Sequence, residues 1–309
     1  MTMGRPLIAV SMGDPEGIGP EVAVKALRRR EVQRACRPLL IGLPSVFRRY
    51  GWNEGVAPVL PIGLDSAFPF AERERGALSF KAFSLGARLA MRGRVRAVVT
   101  APISKTAWKK AGIAYPDHTS YLEKAAGVPH VEMAFAAGSL RAVVVTRHRS
   151  LLNAIRDLSV EKVVQAALLF ARSFSKAPKL VLCGLNPHAG EGGLFGGEED
   201  RILRPSAALL RKKGIQIDGP VAADSAWEQH YKGRYDGLVA LYHDQALMPL
   251  KVAASGKIVN WTIGLPMVRT SPAHGTAFDI AGKGVADPSS MIEAILFAAS
   301  LSRRNTLRY

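Results

Sequence analysis

The sequence predicts an α/β fold, and three observations carry that expectation. Short apolar runs bounded by turn residues alternate with stretches of helical periodicity from one end of the chain to the other. The 309 residues, 48% hydrophobic and 22% charged, suffice for one large or two moderate cores of ordinary globular composition. No apolar run approaches the roughly 18 residues needed to span a bilayer, so a soluble protein with no membrane partner is expected.

The elements follow in order. Pro6 precedes an apolar run, Leu7–Met12, which Gly13-Asp14-Pro15 ends abruptly. It is too short for a signal-peptide core and reads as a first strand. A helix is expected over Pro20–Arg30, since proline suits a first helical turn. A strand at Pro38–Gly42, a helix at Leu78–Met91, a strand at Val95–Thr100 and a helix at Ser104–Ala111 come next. Strands at Val131–Ala136 and Arg141–Thr146 precede a helix at Val160–Ser173 and a strand at Lys179–Gly184. A helix at Ile202–Lys213, a strand at Asp236–Tyr242 and a last helix at Ser289–Leu301 complete the pattern. There is no internal repeat, low-complexity tract or flexible linker, so any division into lobes is made by the chain crossing between them. The segment Gly13-Asp14-Pro15-Glu16-Gly17-Ile18-Gly19-Pro20-Glu21 joins a strand to a helix, but it lacks the G-x-G-x-x-G spacing of a Rossmann dinucleotide fingerprint.

Lys plus Arg number 42 against 25 Asp plus Glu, a formal charge of +17. A basic nucleic-acid-binding protein is the rival from another class. The basic residues are scattered over predicted helices, as in Lys25-Ala26-Leu27-Arg28-Arg29-Arg30, and aromatics are only 7%. They form no stacking platform. The charge reads as a solubilising, anion-attracting surface, with no nucleic-acid partner. Two cysteines, Cys36 and Cys183, make no spaced framework, and a reducing cytoplasm is the expected compartment.

Three of the seven histidines follow predicted strands. His148 comes just after Arg141–Thr146, His188 follows Lys179–Gly184 across Asn186-Pro187, and His243 follows Tyr242 without a gap. Ligands of open α/β sheets sit beyond the carboxyl ends of strands. Three imidazoles there fit a catalytic divalent metal with an open position, zinc first, with magnesium or cobalt as alternatives.

Five segments together resemble one family. They are Met12–Glu21, Thr100-Ala101-Pro102-Ile103-Ser104-Lys105, Asn186-Pro187-His188-Ala189-Gly190-Glu191, Tyr242-His243-Asp244-Gln245 and Arg269-Thr270-Ser271-Pro272-Ala273-His274-Gly275-Thr276. In this order they resemble the 4-hydroxythreonine-4-phosphate dehydrogenase family. The resemblance implies a two-lobed α/β/α fold like that of isocitrate and isopropylmalate dehydrogenases, rather than a Rossmann domain. It implies residues 1–112 plus 258–309 as a cofactor-side lobe, and 113–257 as a central lobe with the metal ligands and dimer interface. It implies a homodimer with a shared active site, in which His148, His188 and His243 bind the metal and His243 is the ligand expected from the neighbouring subunit.

His274–Gly284 also resembles the adenosine loop of isocitrate and isopropylmalate dehydrogenases. His274, Gly275, Thr276, Asp279, Ile280 and Asp287 are the expected cofactor residues. Asp279-Ile280 stands where NADP-linked relatives commonly carry Lys-Tyr, and a carboxylate repels a 2′-phosphate. NAD is therefore the expected cofactor. By motif, His118, Thr119, Lys251, Asn260 and Arg269 correspond to the family's substrate residues, a donor set suited to phosphate. Asp244 and Lys105 are the candidate catalytic acid–base groups, with Asp244 alternatively orienting a metal ligand.

The resemblance thus implies NAD-linked oxidation of a secondary hydroxyl on a small phosphorylated acid, 4-hydroxythreonine 4-phosphate first, with decarboxylation following. Erythronate or threonate 4-phosphate and a terephthalate cis-dihydrodiol are alternatives within the family. Three departures bear on the substrate: Asp117 where the family usually has Gly, Arg147 and Arg149 flanking His148, and bulky Trp261 beside Asn260. Asp117 is expected to reshape the pocket or repel an anion unless it pairs with a basic neighbour.

Overall fold

The computed structural model describes residues 4–63, 68–255 and 257–303. The chain forms two compact units, the first running to His130 and resuming at Leu265, the second spanning Val131–Gly264.

The first unit contains β1 (Leu7–Ser11), α1 (Gly19–Leu27), α2 (Arg30–Ala35), β2 (Arg37–Gly42), α3 (Pro44–Arg48) and β3 (Val59–Pro61). Next come α4 (Glu72–Met91), β4 (Ala97–Thr100), α5 (Lys105–Lys110) and α6 (His118–Ala126). The second unit holds β5 (Glu132–Ala137), β6 (Leu140–Thr146), α7 (Leu151–Arg156), α8 (Val160–Arg172), β7 (Lys179–Cys183) and α9 (Arg204–Lys212). It continues with β8 (Gln216–Val221), α10 (Ala223–Tyr231), β9 (Gly237–Tyr242), α11 (His243–Ala254) and β10 (Val259–Ile263). The chain then returns to the first unit for β11 (Val268–Pro272) and α12 (Ser289–Arg303).

In the first unit the strands run β3-β2-β1-β4-β11, all parallel. Buried on both faces, they read as unbroken apolar runs such as Ala97-Val98-Val99-Thr100. Register assigns the layers. Arg269 of β11 stands beside Val98 of β4, and Val98 meets α4, where a Cβ on Gly86 would lie 3.1 Å from its Cγ2. The next residue, Thr270, points to the other face and donates to the Ala294 carbonyl of α12 at 2.8 Å. Helices therefore cover both faces.

In the second unit the order is β10-β5-β6-β9-β7-β8. β6, β9, β7 and β8 are parallel, while β5 runs antiparallel to both β6 and β10. One face packs Val144, Val181 and Leu238 against Trp227 of α10 and Leu247 and Leu250 of α11. The other receives α8, whose Phe170 ring lies so close to Gly237 that a Cβ there would sit 2.5 Å from it.

The crossings at His130/Val131 and Gly264/Leu265 differ from the expected 112/113 and 257/258. Two contacts explain the shift. α6 stays with the first unit because Tyr121 and His118 pack on Phe83 of α4, with ring centroids 5.2 and 4.3 Å apart. β10, with Asn260, stays with the second because it pairs along its length with β5. The expected helix Pro20–Arg30 ends earlier, as α1 at Leu27, and a separate helix, α2, begins at Arg30. Among the described residues, no helix is long and apolar enough to cross a membrane.

Candidate active site

The first unit holds an anion-seeking cradle at the carboxyl end of β4. Arg269 on β11 is buried, 4% exposed, and its Nη2 donates to Thr100 Oγ1 at 2.7 Å and to His118 Nδ1 at 3.1 Å. A guanidinium can only donate, so Nδ1 of His118 is the acceptor and the ring carries its proton on Nε2. That Nε2 is buried and has no hydrogen-bond partner among the described residues. Burial holds the His118 pKa well below the ordinary histidine value, and the charges of Arg269 and Lys105 push in the same direction. Burial also lowers Arg269 to about 10, an effect that Asp117 opposes, and the guanidinium keeps its charge at neutral pH. A buried cation beside a neutral N–H donor is built for an oxyanion.

His118 is fixed by its element. Asp117 caps α6, accepting from the Ser120 amide at 2.9 Å and its hydroxyl at 3.0 Å. The Asp117 carboxylate is engaged in an N-cap, and its charge also acts on its basic neighbour Arg269. Thr119 lies half-buried in the same first turn. The His118 ring is wedged against Phe83 and Trp108, centroids 4.3 and 5.3 Å away. Lys105, at the start of α5, is exposed, and near enough for its charge to act on His118. Thr100 is the member of this cradle that sequence reasoning left out, although it opens a quoted motif.

The second unit places the three histidines after adjacent parallel strands, in the spatial order β6, β9, β7. His148 and His243 have ring centroids 5.3 Å apart. His243 opens α11 rather than a loop, and its Nδ1 donates to Asp244 Oδ1 at 2.7 Å. This leaves the Nε2 lone pair for a ligand, the arrangement by which a carboxylate orients a metal-binding imidazole. Gln245, buried in the same turn, accepts from the Leu241 amide and donates to the Gly184 carbonyl, tying α11 to the exit of β7.

His188 lies apart, exposed in a left-handed turn. Residues 188–192 all have positive φ, including His188 (52°), Ala189 (52°) and Glu191 (41°). Such backbone costs about 1–2 kcal/mol per non-glycine residue and persists where its surroundings impose it. Glu199 is the buried anchor that sequence reasoning missed. One of its oxygens accepts from the Leu185 and Asn186 amides and the other from Asn186 Nδ2, each at 2.8 Å. Among the described residues, no three His, Cys, Asp or Glu side chains form a group able to hold a metal within one chain.

Lys251 is exposed in the last turn of α11. Asn260, on β10, keeps a buried Oδ1 with no hydrogen-bond partner among the described residues. Trp261 turns into the core, 4% exposed, so its bulk packs the interior. Arg147 is engaged by Glu132 at 3.5 Å and Arg149 by Asp157 at 3.2 Å.

The loop after β11 carries the remaining candidates. Nδ1 of His274 faces the Gly275 carbonyl at 3.0 Å and must donate to it, while its Nε2 is buried with no hydrogen-bond partner among the described residues. Gly275 and Asp279 are exposed, Thr276 and Ile280 half-buried. Asp287 accepts from the Ser289 amide and hydroxyl at 2.9 and 2.7 Å, fastening the start of α12.

Comparison with known proteins follows from this geometry. A family model described as pyridoxal phosphate biosynthetic protein PdxA matches residues 26–298. The chain is 42% identical over 319 residues to the 4-hydroxythreonine-4-phosphate dehydrogenase of Beijerinckia indica, covering 95% of this chain and 94% of that one. It is 38% identical over 326 residues to the D-threonate 4-phosphate dehydrogenase of Cupriavidus necator, covering 97% and 98%. A crystal structure of a 4-hydroxythreonine-4-phosphate dehydrogenase from Burkholderia phymatum matches with a TM-score of 0.84 at 36% identity, over 97% of this chain and 99% of that one. Fold and likeness together define an α/β dehydrogenase. The chain belongs to the pyridoxal phosphate biosynthetic protein PdxA family.

Proposed function

We propose that this chain is an NAD-linked, divalent-metal-dependent dehydrogenase that oxidises the secondary hydroxyl of 4-hydroxythreonine 4-phosphate, after which the β-keto acid product loses carbon dioxide. The observation that carries the reading is the cradle of buried Arg269, neutral His118 and Thr100. It suits an anionic substrate, and its Nε2–H awaits an acceptor. Thr119, Lys251 and Asn260 are the further substrate residues, with Lys251 supplying an exposed cation and Asn260 a buried amide oxygen.

For the metal, the tautomer that Asp244 imposes on His243 supports an imidazole ligand. Among the described residues one chain holds no group of three, short of the ligand set of a catalytic zinc. His148, His188 and His243 complete it in a homodimer, with His243 the ligand that crosses the twofold axis. When bound, the metal acidifies the substrate hydroxyl and stabilises the carbonyl that forms. Asp244 orients His243 and stands one residue from the chemistry as a proton acceptor; Lys105 is the other group able to move a proton, beside the cradle. His274, Gly275, Thr276, Asp279, Ile280 and Asp287 hold the dinucleotide. The buried Nε2 of His274 suits a polar group of the dinucleotide, and the carboxylate of Asp279 favours NAD over NADP.

A second reading rests on a specific observation: the relative named D-threonate 4-phosphate dehydrogenase is 38% identical over nearly the full chain. NADH formation on 4-hydroxythreonine 4-phosphate, erythronate and threonate 4-phosphates and a terephthalate cis-dihydrodiol separates the substrates. Turnover is expected on the first, abolished by chelator and by His188→Ala. Turnover only on a sugar-acid phosphate moves the assignment to that substrate. Full activity after demetallation overturns the metal, and a salt-sensitive shift of random DNA with no turnover overturns the enzyme.

A further inference from the structure

The stretch from the β1–α1 loop into α1, Asp14 to Lys25, has no role in the proposed chemistry, yet it grips the 274–287 loop along its length. At the near end, the Ile18 amide donates to the Thr276 carbonyl at 2.9 Å. Gly17 makes the approach possible, because a Cβ there would lie 3.1 Å from both Cβ and O of Thr276. In the middle, Arg75 of α4 lies under the Phe278 ring, 4.8 Å from its centroid, and is itself held by Glu16 at 3.5 Å. At the far end, Glu21, wholly buried, accepts from the Ala286 amide at 2.9 Å. It also accepts from Lys25 Nζ at 2.7 Å. The same ammonium donates to the carbonyls of Gly284 and Ala286 at 2.8 and 2.9 Å.

We propose that Glu21 and Lys25 are positioning residues for the dinucleotide: as one ion pair on successive turns of α1, they hold residues 284–286 and so set the affinity of the 274–287 loop for NAD. This rests on the reading of that loop as the cofactor site. The chemistry is economical. The turn from Phe278 to Val285, exposed apart from half-buried Ile280 and Ala281, has little side-chain packing of its own to fix it. A buried carboxylate that takes a backbone amide, and an ammonium that takes two backbone carbonyls, fix peptide planes whatever side chains the loop presents. Both groups are spent on each other and on the loop backbone, so their influence is expected on cofactor binding and not on the chemical step. Lys25 and the Ala286 amide offset the burial of Glu21 at Oε1 alone, since its Oε2 is buried with no hydrogen-bond partner among the described residues.

The test uses the full chain. Lys25→Met removes the ammonium, Glu21→Gln keeps an acceptor for Ala286 while discarding the charge, and Lys25→Arg restores a multiple donor. In Lys25→Met, amide hydrogen exchange across 276–286 quickens. The Kd for NAD rises about five- to twentyfold, the loss of one to two backbone hydrogen bonds. Turnover at saturating NAD and the KM of the acid substrate stay within twofold, and Lys25→Arg recovers most of the affinity. Glu21→Gln shows the same split to a lesser degree, which guards against a folding defect in either variant alone. Unchanged exchange, or faster exchange with NAD affinity intact, overturns the proposal. Asp279→Ala is the companion variant. If it weakens NAD while Lys25→Met does not, only the positioning role falls; if it too leaves NAD affinity unchanged, the cofactor reading of the loop falls with it.

Discussion

The ring of His118 accepts from Arg269 at one nitrogen and offers a proton at the other, and substitution by Gln separates these roles from its titration. The folded pKa lies below the unfolded value of about 6.5, because burial and the nearby cations oppose a second proton. The unfolded chain therefore takes up the proton first, and stability is complete above about pH 6.5 and falls as pH drops below it. The slope attributable to this group reaches at most about 1.4 kcal/mol per pH unit. In His118→Gln an amide oxygen still accepts from Arg269, so the fold persists while that slope flattens. Urea midpoints between pH 5 and 7 measure it, and equal slopes for the two proteins defeat the argument. His230, also lowered chiefly by burial, contributes the same sign in both proteins and cancels in the difference. At this scale the sequence was legible only through motif. Arg269 and His118 are 151 positions apart, and spacing alone holds nothing that pairs them. Thr100 and Glu199 escaped because their partners are backbone and side-chain atoms brought near by folding, which no local pattern encodes.

Helix α4 begins at Glu72, six residues before the expected Leu78, and Gly76 is the reason for both the misreading and the structure. Glycine inside a helix costs about 1 kcal/mol relative to Ala and reads as a boundary. Here it is the contact point with α5: a Cβ would lie 2.1 Å from the Ala107 carbonyl oxygen and 3.1 Å from Ala111 Cβ. In Gly76→Ala the gain in helix propensity, about 1 kcal/mol, is set against a collision with backbone that no rotamer relieves. The collision wins, and the variant is destabilised by about 1–3 kcal/mol net. The displacement reaches the cradle, since α5 carries Trp108, which packs on His118 and donates to Ser79 of α4 at 2.8 Å. Denaturant unfolding followed by tryptophan fluorescence reads the stability; a midpoint at or above that of the parent protein would sink the idea. Elsewhere, elements with unbroken apolar runs, such as β6 and β9, were legible nearly to the residue. β10 and β11 were not, because Asn260, Thr262, Arg269, Thr270 and Ser271 interrupt the hydrophobic signal. Polar residues within these strands are what obscure their structural pattern.

A formal charge of +17 and three imidazoles after neighbouring strands are properties of the whole chain, and the second poses a question one chain leaves open. Within the chain the His148 and His243 rings lie near each other, and among the described residues none of the three histidines belongs to a group of three metal-capable side chains. A metal-dependent homodimer resolves this if His188 and His243 reach one metal from different chains, and the proposition has a direct test. His188→Ala and His243→Ala are each expected to lose activity by 10- to 100-fold or more, the cost of a lost ligand or its support. Both are exposed or half-buried, so folding is spared. Unfolded together and refolded as a mixture, the two inactive proteins form dimers of which about half are mixed. When the ligands come from different chains, a mixed dimer has one site lacking both residues and one site lacking neither. Activity then returns to about a quarter of the wild-type level, carried by that intact site. When the ligands come from one chain, each site of the mixed dimer lacks one of them and nothing returns. Recovery thus assigns the site to two chains, and its absence, with mixed dimers shown to have formed, assigns the histidines to one.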